Sequence, residues 1–295
     1  MMVQKNATRG NTPGFIIKSF RYILFILVLP VLTFAQQSIP YGNNSKAGKY
    51  VTSGDAKIYY EVYGDGPPLL LLHGGYYGYI SEFEMYFPDL IKNFKVIAVA
   101  TRGHGRSEIG HEKMSYQLFA KDAIAVLKQE KLTSVLVMGF SDGAITGLVL
   151  AAENASYVKK LVSMGGGINT GMYRPNSLQS VWRMDGKKEE QDAPDFLKER
   201  MKIMPEPNRF AEWVDRLKEV WLAPVWISED KVAAIKCPVM IVGGDRDDYA
   251  RTESFVENYK LIPNSRLMIL PNSGHVSLIL QPALLNSFII PFLKE

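Results

Sequence analysis

From residue 57 onward the chain alternates between short, wholly apolar runs and longer amphipathic stretches. Residues 69–72, 96–100, 135–138, 239–242 and 267–270 are apolar throughout, and turn formers or charged residues bound them. Runs this short, without polar alternation, are expected of strands covered on both faces, as in a parallel sheet. Residues 58–63, β-branched and aromatic, add a strand that Gly64-Asp65-Gly66 turns. Between the runs lie helical patterns at 116–129, 144–152, 252–261 and 276–293; Ile145, Leu148 and Val149 share one face of the second. Strands alternating with helices predict an α/β fold with a doubly wound, mostly parallel β-sheet over residues 57–295. One stretch breaks the alternation. From about 171 to 234 no buried strand is expected, while Phe210, Trp213, Val214, Leu217 and Val220 follow a helical period, with Asn208 as the expected cap. This reads as a helical lid inserted over an active site.

The first 35 residues have a different character. Lys5, Arg9, Lys18 and Arg21 precede an apolar stretch from 22 to 34, which ends in Thr33-Phe34-Ala35-Gln36. A charged start, an apolar middle and small residues at the end are the parts of a secretory signal peptide, expected to be cleaved after Ala35. An uncleaved N-terminal membrane anchor is the alternative, but Pro30 interrupts the run, which is short for the roughly 20 residues of a span. Residues 36–56, polar and rich in Gly, Ser and Asn, read as a lead-in to the domain. The expectation is an exported protein, periplasmic or secreted. The formal net charge is +4, and the four basic residues of the leader are its only charged ones, so the mature chain is neutral. That excludes the basic footprint of a nucleic-acid binder and leaves no membrane-binding feature once the leader is removed. Cys237 is the single cysteine; no internal disulfide can form, and it reads as a small buried hydrophobe.

Candidate chemistry concentrates at Gly139-Phe140-Ser141-Asp142-Gly143. A G-x-S-x-G pattern alone is weak, but here it follows an expected buried strand and opens an expected helix, as a nucleophile elbow requires. The glycines let strand and helix approach while Ser141 occupies a strained turn with its hydroxyl exposed. A serine needs a base, and the base needs an orienting carboxylate. His275, just past the last apolar run, and Asp247, just past the run before it, supply both in the order Ser, Asp, His, 106 and then 28 residues apart. The oxyanion donors are expected to be the backbone amides of Asp142 and Gly75, with Tyr76 next in line for the second. His73 reads as a residue that shapes the Gly74-Gly75 loop, not as a catalyst.

His73-Gly74, Arg102-Gly103-His104-Gly105-Arg106-Ser107, the Ser141 elbow, Asp247 and His275 together resemble the α/β-hydrolase superfamily, across residues 57–295. Within it the Phe-Ser-Asp-Gly elbow and the acid and histidine segments are most similar to the biphenyl-hydrolase-like branch, which includes valacyclovir hydrolase. Two positions depart from the pattern: Ala100 stands where the family usually has Asp, and no proline follows Asp247. The resemblance makes Arg102 and His104 loop-ordering residues and His111 a surface residue. It implies a serine hydrolase that acts on a small-molecule substrate, an ester through an acyl-enzyme. Amide, peptide or carbon–carbon bond hydrolysis on the same triad is the first alternative, and a ligand-binding protein of this fold the second. Asp142 and Tyr76 are candidate substrate contacts. Asp142 is either a helix-end carboxylate or the reader of a cationic substrate group, which the likeness to valacyclovir hydrolase makes an α-amino ester. No metal or cofactor is expected, since H-E-x-x-H, paired Cys ligands and a post-strand G-x-G-x-x-G are all missing.

Overall fold

The computed structural model describes residues 39–295; the expected leader and its cleavage point lie outside them. Eight strands form one sheet: β1 (Gly48–Ser53), β2 (Ala56–Tyr63), β3 (Pro68–Leu72), β4 (Lys95–Val99), β5 (Val135–Phe140), β6 (Val158–Met164), β7 (Val239–Gly244) and β8 (Ser265–Leu270). Their order is β1-β2-β4-β3-β5-β6-β7-β8, with β1/β2 and β2/β4 antiparallel and every pair from β4 to β8 parallel. Alternate strand residues serve separate cores on the two faces. Leu70, Ile97, Val137, Leu161 and Ile241 enter one, and Leu69, Leu71, Val96, Met138 and Val242 enter the other. Covering both faces is what requires the strands to be apolar throughout.

The helices are α1 (Phe87–Asn93), α2 (Tyr116–Gln129), α3 (Asp142–Glu153), α4 (Pro175–Arg183), α5 (Gly186–Gln191), α6 (Asp195–Met201), α7 (Phe210–Leu222), α8 (Glu229–Ala233), α9 (Thr252–Leu261), α10 (His275–Ile279) and α11 (Pro282–Lys294). Helices α4 to α8 make up the insertion between β6 and β7. Because β3, β5, β7 and β8 run parallel, the loops after their C-terminal ends gather along one edge of the sheet, where ligands bind in open α/β folds. Gly75, Ser141, Asp247 and His275 all follow those ends.

Four local expectations need correction. β6 does not read as an apolar run because Lys159 and Lys160 interrupt its first half; Lys160 Nζ reaches out to the Phe292 carbonyl at 2.7 Å, and the buried half begins at Leu161. Residues 36–56 are not all lead-in, since 48–53 form β1. Ahead of them, the Gly42 and Asn44 amides donate to the Glu61 carboxylate at 2.7 and 2.8 Å, where the Tyr59 and Tyr63 hydroxyls also donate. The expected helix over 276–293 is two helices, because Pro282 has no amide to continue α10 and starts α11 instead. Asn208 does not cap α7; it sits in a short 3₁₀ turn and Arg209 takes the cap position.

Candidate active site

Ser141 joins β5 to α3 with φ 52° and ψ −118°, a left-handed conformation that costs a non-glycine residue on the order of 1–3 kcal/mol. Its flanking glycines explain how the turn is tolerated. A Cβ on Gly139 would lie 2.2 Å from the Gly143 carbonyl oxygen, and a Cβ on Gly143 would lie 2.1 Å from that of Leu72. Backbone meets backbone at both places, so no side chain can give way. The Ser141 amide donates to the Met164 carbonyl at 2.7 Å, which fixes the turn against β6.

Ser141 Oγ lies 3.0 Å from His275 Nε2, and His275 Nδ1 lies 2.7 Å from Asp247 Oδ2. Asp247 is fully buried, and its other oxygen accepts from the Tyr249 and Ala250 amides at 2.9 and 2.7 Å. Three nearby aspartates thus have separate tasks. Asp245 accepts from the Ser273 amide at 3.2 Å, and Asp248, standing where a proline is usual, accepts from the His275 amide at 3.1 Å. Only Asp247 reaches the imidazole.

The loop after β3 is held from several sides. Glu82 accepts from the Gly74 amide at 2.7 Å, and His73 Nδ1 donates to the Gly74 carbonyl at 2.7 Å. That carbonyl shares a peptide plane with the Gly75 N–H, so His73 sets the direction of the donor. His73 Nε2 accepts from the Thr101 amide, which leaves one tautomer, and burial lowers its pKa and keeps it neutral. His104 Nε2 contacts the Gly75 carbonyl at 3.3 Å, and burial, then the Arg200 charge, pull its pKa down to about 4. Arg102 is wholly buried against Asp122, with two bonds of 2.9 Å, and Asp55. Among the described residues neither the Gly75 nor the Asp142 amide donates to another protein group.

These groups open on a cavity of about 310 Å³, at the small end of ligand pockets. Asp142 does not cap α3. Its two oxygens accept from Tyr116 Oη at 2.9 Å and Trp221 Nε1 at 2.8 Å, and burial pushes its pKa up against those bonds. A Cβ on Gly75 would meet Asp142 Oδ2 at 2.7 Å, so glycine is required there as well. Tyr76 lines the cavity, and among the described residues its buried hydroxyl oxygen accepts from no donor. Sequence reasoning missed Glu82, Glu189, Tyr116, Trp221 and Arg200. Burial pushes Glu82 up to about 7, with the Gly74 amide and Arg200 opposing. Arg200, from α6, donates to the Tyr77 and Gly78 carbonyls at 2.7 and 2.9 Å and so ties the insertion to the β3 loop. None of the five lies in a motif; only the fold brings them to the site.

Comparison with known proteins agrees with this fold. A family model described as alpha/beta hydrolase family matches residues 69–288. The human serine hydrolase BPHL is 26% identical over 248 residues, 80% of this chain and 82% of its own length. The esterase EaEST from Exiguobacterium antarcticum superposes with a TM-score of 0.68 at 24% identity, covering 84% of this chain and all of that one. The meta-cleavage product hydrolase CumD from Pseudomonas fluorescens IP01 gives a TM-score of 0.70 at 19% identity, over 85% of this chain and 99% of its own. By sequence match and by architecture, the chain belongs to the alpha/beta hydrolase family.

Proposed function

We propose that the protein hydrolyses a small carboxylic ester through an acyl-enzyme on Ser141. The observation that carries the reading is the continuous Ser141–His275–Asp247 contact chain beside two undirected amides, Gly75 and Asp142. His275 Nε2 takes the Ser141 proton as Oγ attacks the carbonyl carbon, and the Gly75 and Asp142 N–H groups hold the oxygen that becomes negative. The C–O bond to the alcohol then breaks, and the alcohol leaves with the proton from His275. Water repeats the cycle on the acyl group and restores Ser141. Asp247 keeps the proton on Nδ1 so that Nε2 stays free to accept. Fluorophosphonate should label Ser141, and Ser141→Ala should lose both labelling and turnover of p-nitrophenyl esters. An adduct at another residue, or turnover retained in the variant, would overturn the assignment. Aminoacyl arylamides in the same panel test the amide alternative.

The chemistry of the pocket wall supports a narrower reading. Among the described residues its lining includes Glu82, Asp142 and Glu189 but no lysine or arginine, so an anionic substrate is disfavoured and a cationic one is not. An α-amino ester would put its ammonium group beside Asp142, where a charge-assisted hydrogen bond offsets the cost of burying that carboxylate. We further propose that residues 1–35 direct export.

A further inference from the structure

Two of the three pocket carboxylates already have partners. Asp142 accepts from Tyr116 and Trp221, while Glu82 accepts from the Gly74 amide and faces the Arg200 charge. Glu189 differs: among the described residues it has no ion pair and no charged or backbone donor, only the Tyr76 hydroxyl close to its carboxylate, and it lines the cavity. Its backbone is fixed. Asp185 caps α5 through the Lys188 amide at 3.0 Å, and the Gly186 amide donates to Asp215 on α7 at 2.8 Å. Gly186 approaches α7 so closely that a Cβ would lie 2.0 Å from the Ala211 carbonyl oxygen. The position of the Glu189 backbone along the cavity wall is therefore set by packing.

Facing it from the β3 loop is Tyr76, 7% exposed, whose hydroxyl oxygen accepts from no donor among the described residues. Burial raises the pKa of this phenol, and the nearby Glu189 charge raises it further. The Tyr77 ring stands 4.5 Å from that of Tyr76 on the same wall. A carboxylate without a cation, a phenol oxygen without a donor and two adjoining aromatic rings are what an ammonium group requires: charge, hydrogen-bond acceptors and π faces.

We infer that Glu189 and Tyr76 form a second cation-reading subsite on the insertion side of the pocket, so that preferred substrates carry a primary ammonium group remote from the scissile carbonyl. The inference rests on this cavity being the substrate site, but not on an α-amine at Asp142. The test compares p-nitrophenyl 6-aminohexanoate with p-nitrophenyl heptanoate. The two have equal length, differ by ammonium for methyl, and lack an α-amino group. Wild type should favour the aminohexanoate by about 10-fold or more in kcat/KM. Glu189→Gln should bring the ratio to within about twofold of one, and Tyr76→Phe should lower it partway. Each ratio comes from one preparation, so loss of folded protein cancels. Calorimetric binding of methyl 6-aminohexanoate and methyl heptanoate to Ser141→Ala repeats the comparison without turnover. A binding preference without hydrolysis keeps the subsite and removes the ester reading. A ratio of one or less on wild type in both measurements overturns the subsite, as does a preference that survives Glu189→Gln.

Discussion

A carboxylate next to the proposed serine nucleophile would oppose the charge that develops on the substrate oxygen, so Asp142 needs a physical account. Its oxygens are held by Tyr116 and Trp221, which fix its direction without supplying a positive charge. Burial raises its pKa, and a substrate ammonium group would lower it again. The expected outcome is an alanyl ester preferred over the isosteric isobutyryl ester by about 10- to 150-fold in kcat/KM, equivalent to roughly 1.5–3 kcal/mol. Asp142→Asn should remove most of that preference. Equal rates on wild type would reduce Asp142 to a structural residue bound to Tyr116 and Trp221. At this scale the sequence was legible where chemistry fixes residue type and order: one elbow serine, one aspartate of three, one histidine past the last strand. Tyr116 and Trp221 were not legible, because they approach Asp142 from 26 and 79 residues away and carry no motif.

The elbow depends on how closely β5, α3 and the β3 loop approach. Gly143 sits with its α-carbon against the Leu72 carbonyl, so Gly143→Ala forces a backbone shift that costs about 1–3 kcal/mol. The same shift displaces Ser141. Gly143→Ala is expected to unfold several degrees lower and to lose most esterase activity. Gly274→Ala, beside His275, is the matched control: its Cβ meets nothing closer than 3.5 Å and its φ is −81°, so its melting temperature should hold. Equal melting temperatures for the two variants would refute the close-approach account. Element identity followed burial in the same way. Strands covered from end to end announced themselves as apolar runs, and Tyr116–Gln129 and Thr252–Leu261 match the helices expected there. β6 did not, because its first half is a sheet end where lysines reach solvent and the Phe292 carbonyl. β1 did not, because its mostly exposed or half-buried residues are polar except for Tyr50 and Val51 and leave no apolar run.

For the whole molecule, the charge divides at the proposed leader. Residues 1–35 carry the entire net charge of +4, and the remainder is neutral. Packing of the domain begins soon after that boundary. The Tyr41 ring stacks on Phe87 at 4.0 Å with a 3° interplanar angle, and the Gly42 amide is bound to the buried Glu61. Cleavage between Ala35 and Gln36 would leave five residues ahead of Tyr41 and so keep every residue of the Glu61 cluster. Cleavage a few residues later would begin to remove contacts that hold β2. We therefore predict that protein recovered from its native host begins at Gln36, with that residue free or cyclised to pyroglutamate. A recombinant chain starting at Gln36 should melt at the same temperature and turn over esters at the same rate as the native material. N-terminal sequencing or intact mass decides the matter: Met1 retained on protein from the soluble cytosolic fraction rules export out, and Met1 retained in the membrane fraction identifies an uncleaved anchor instead.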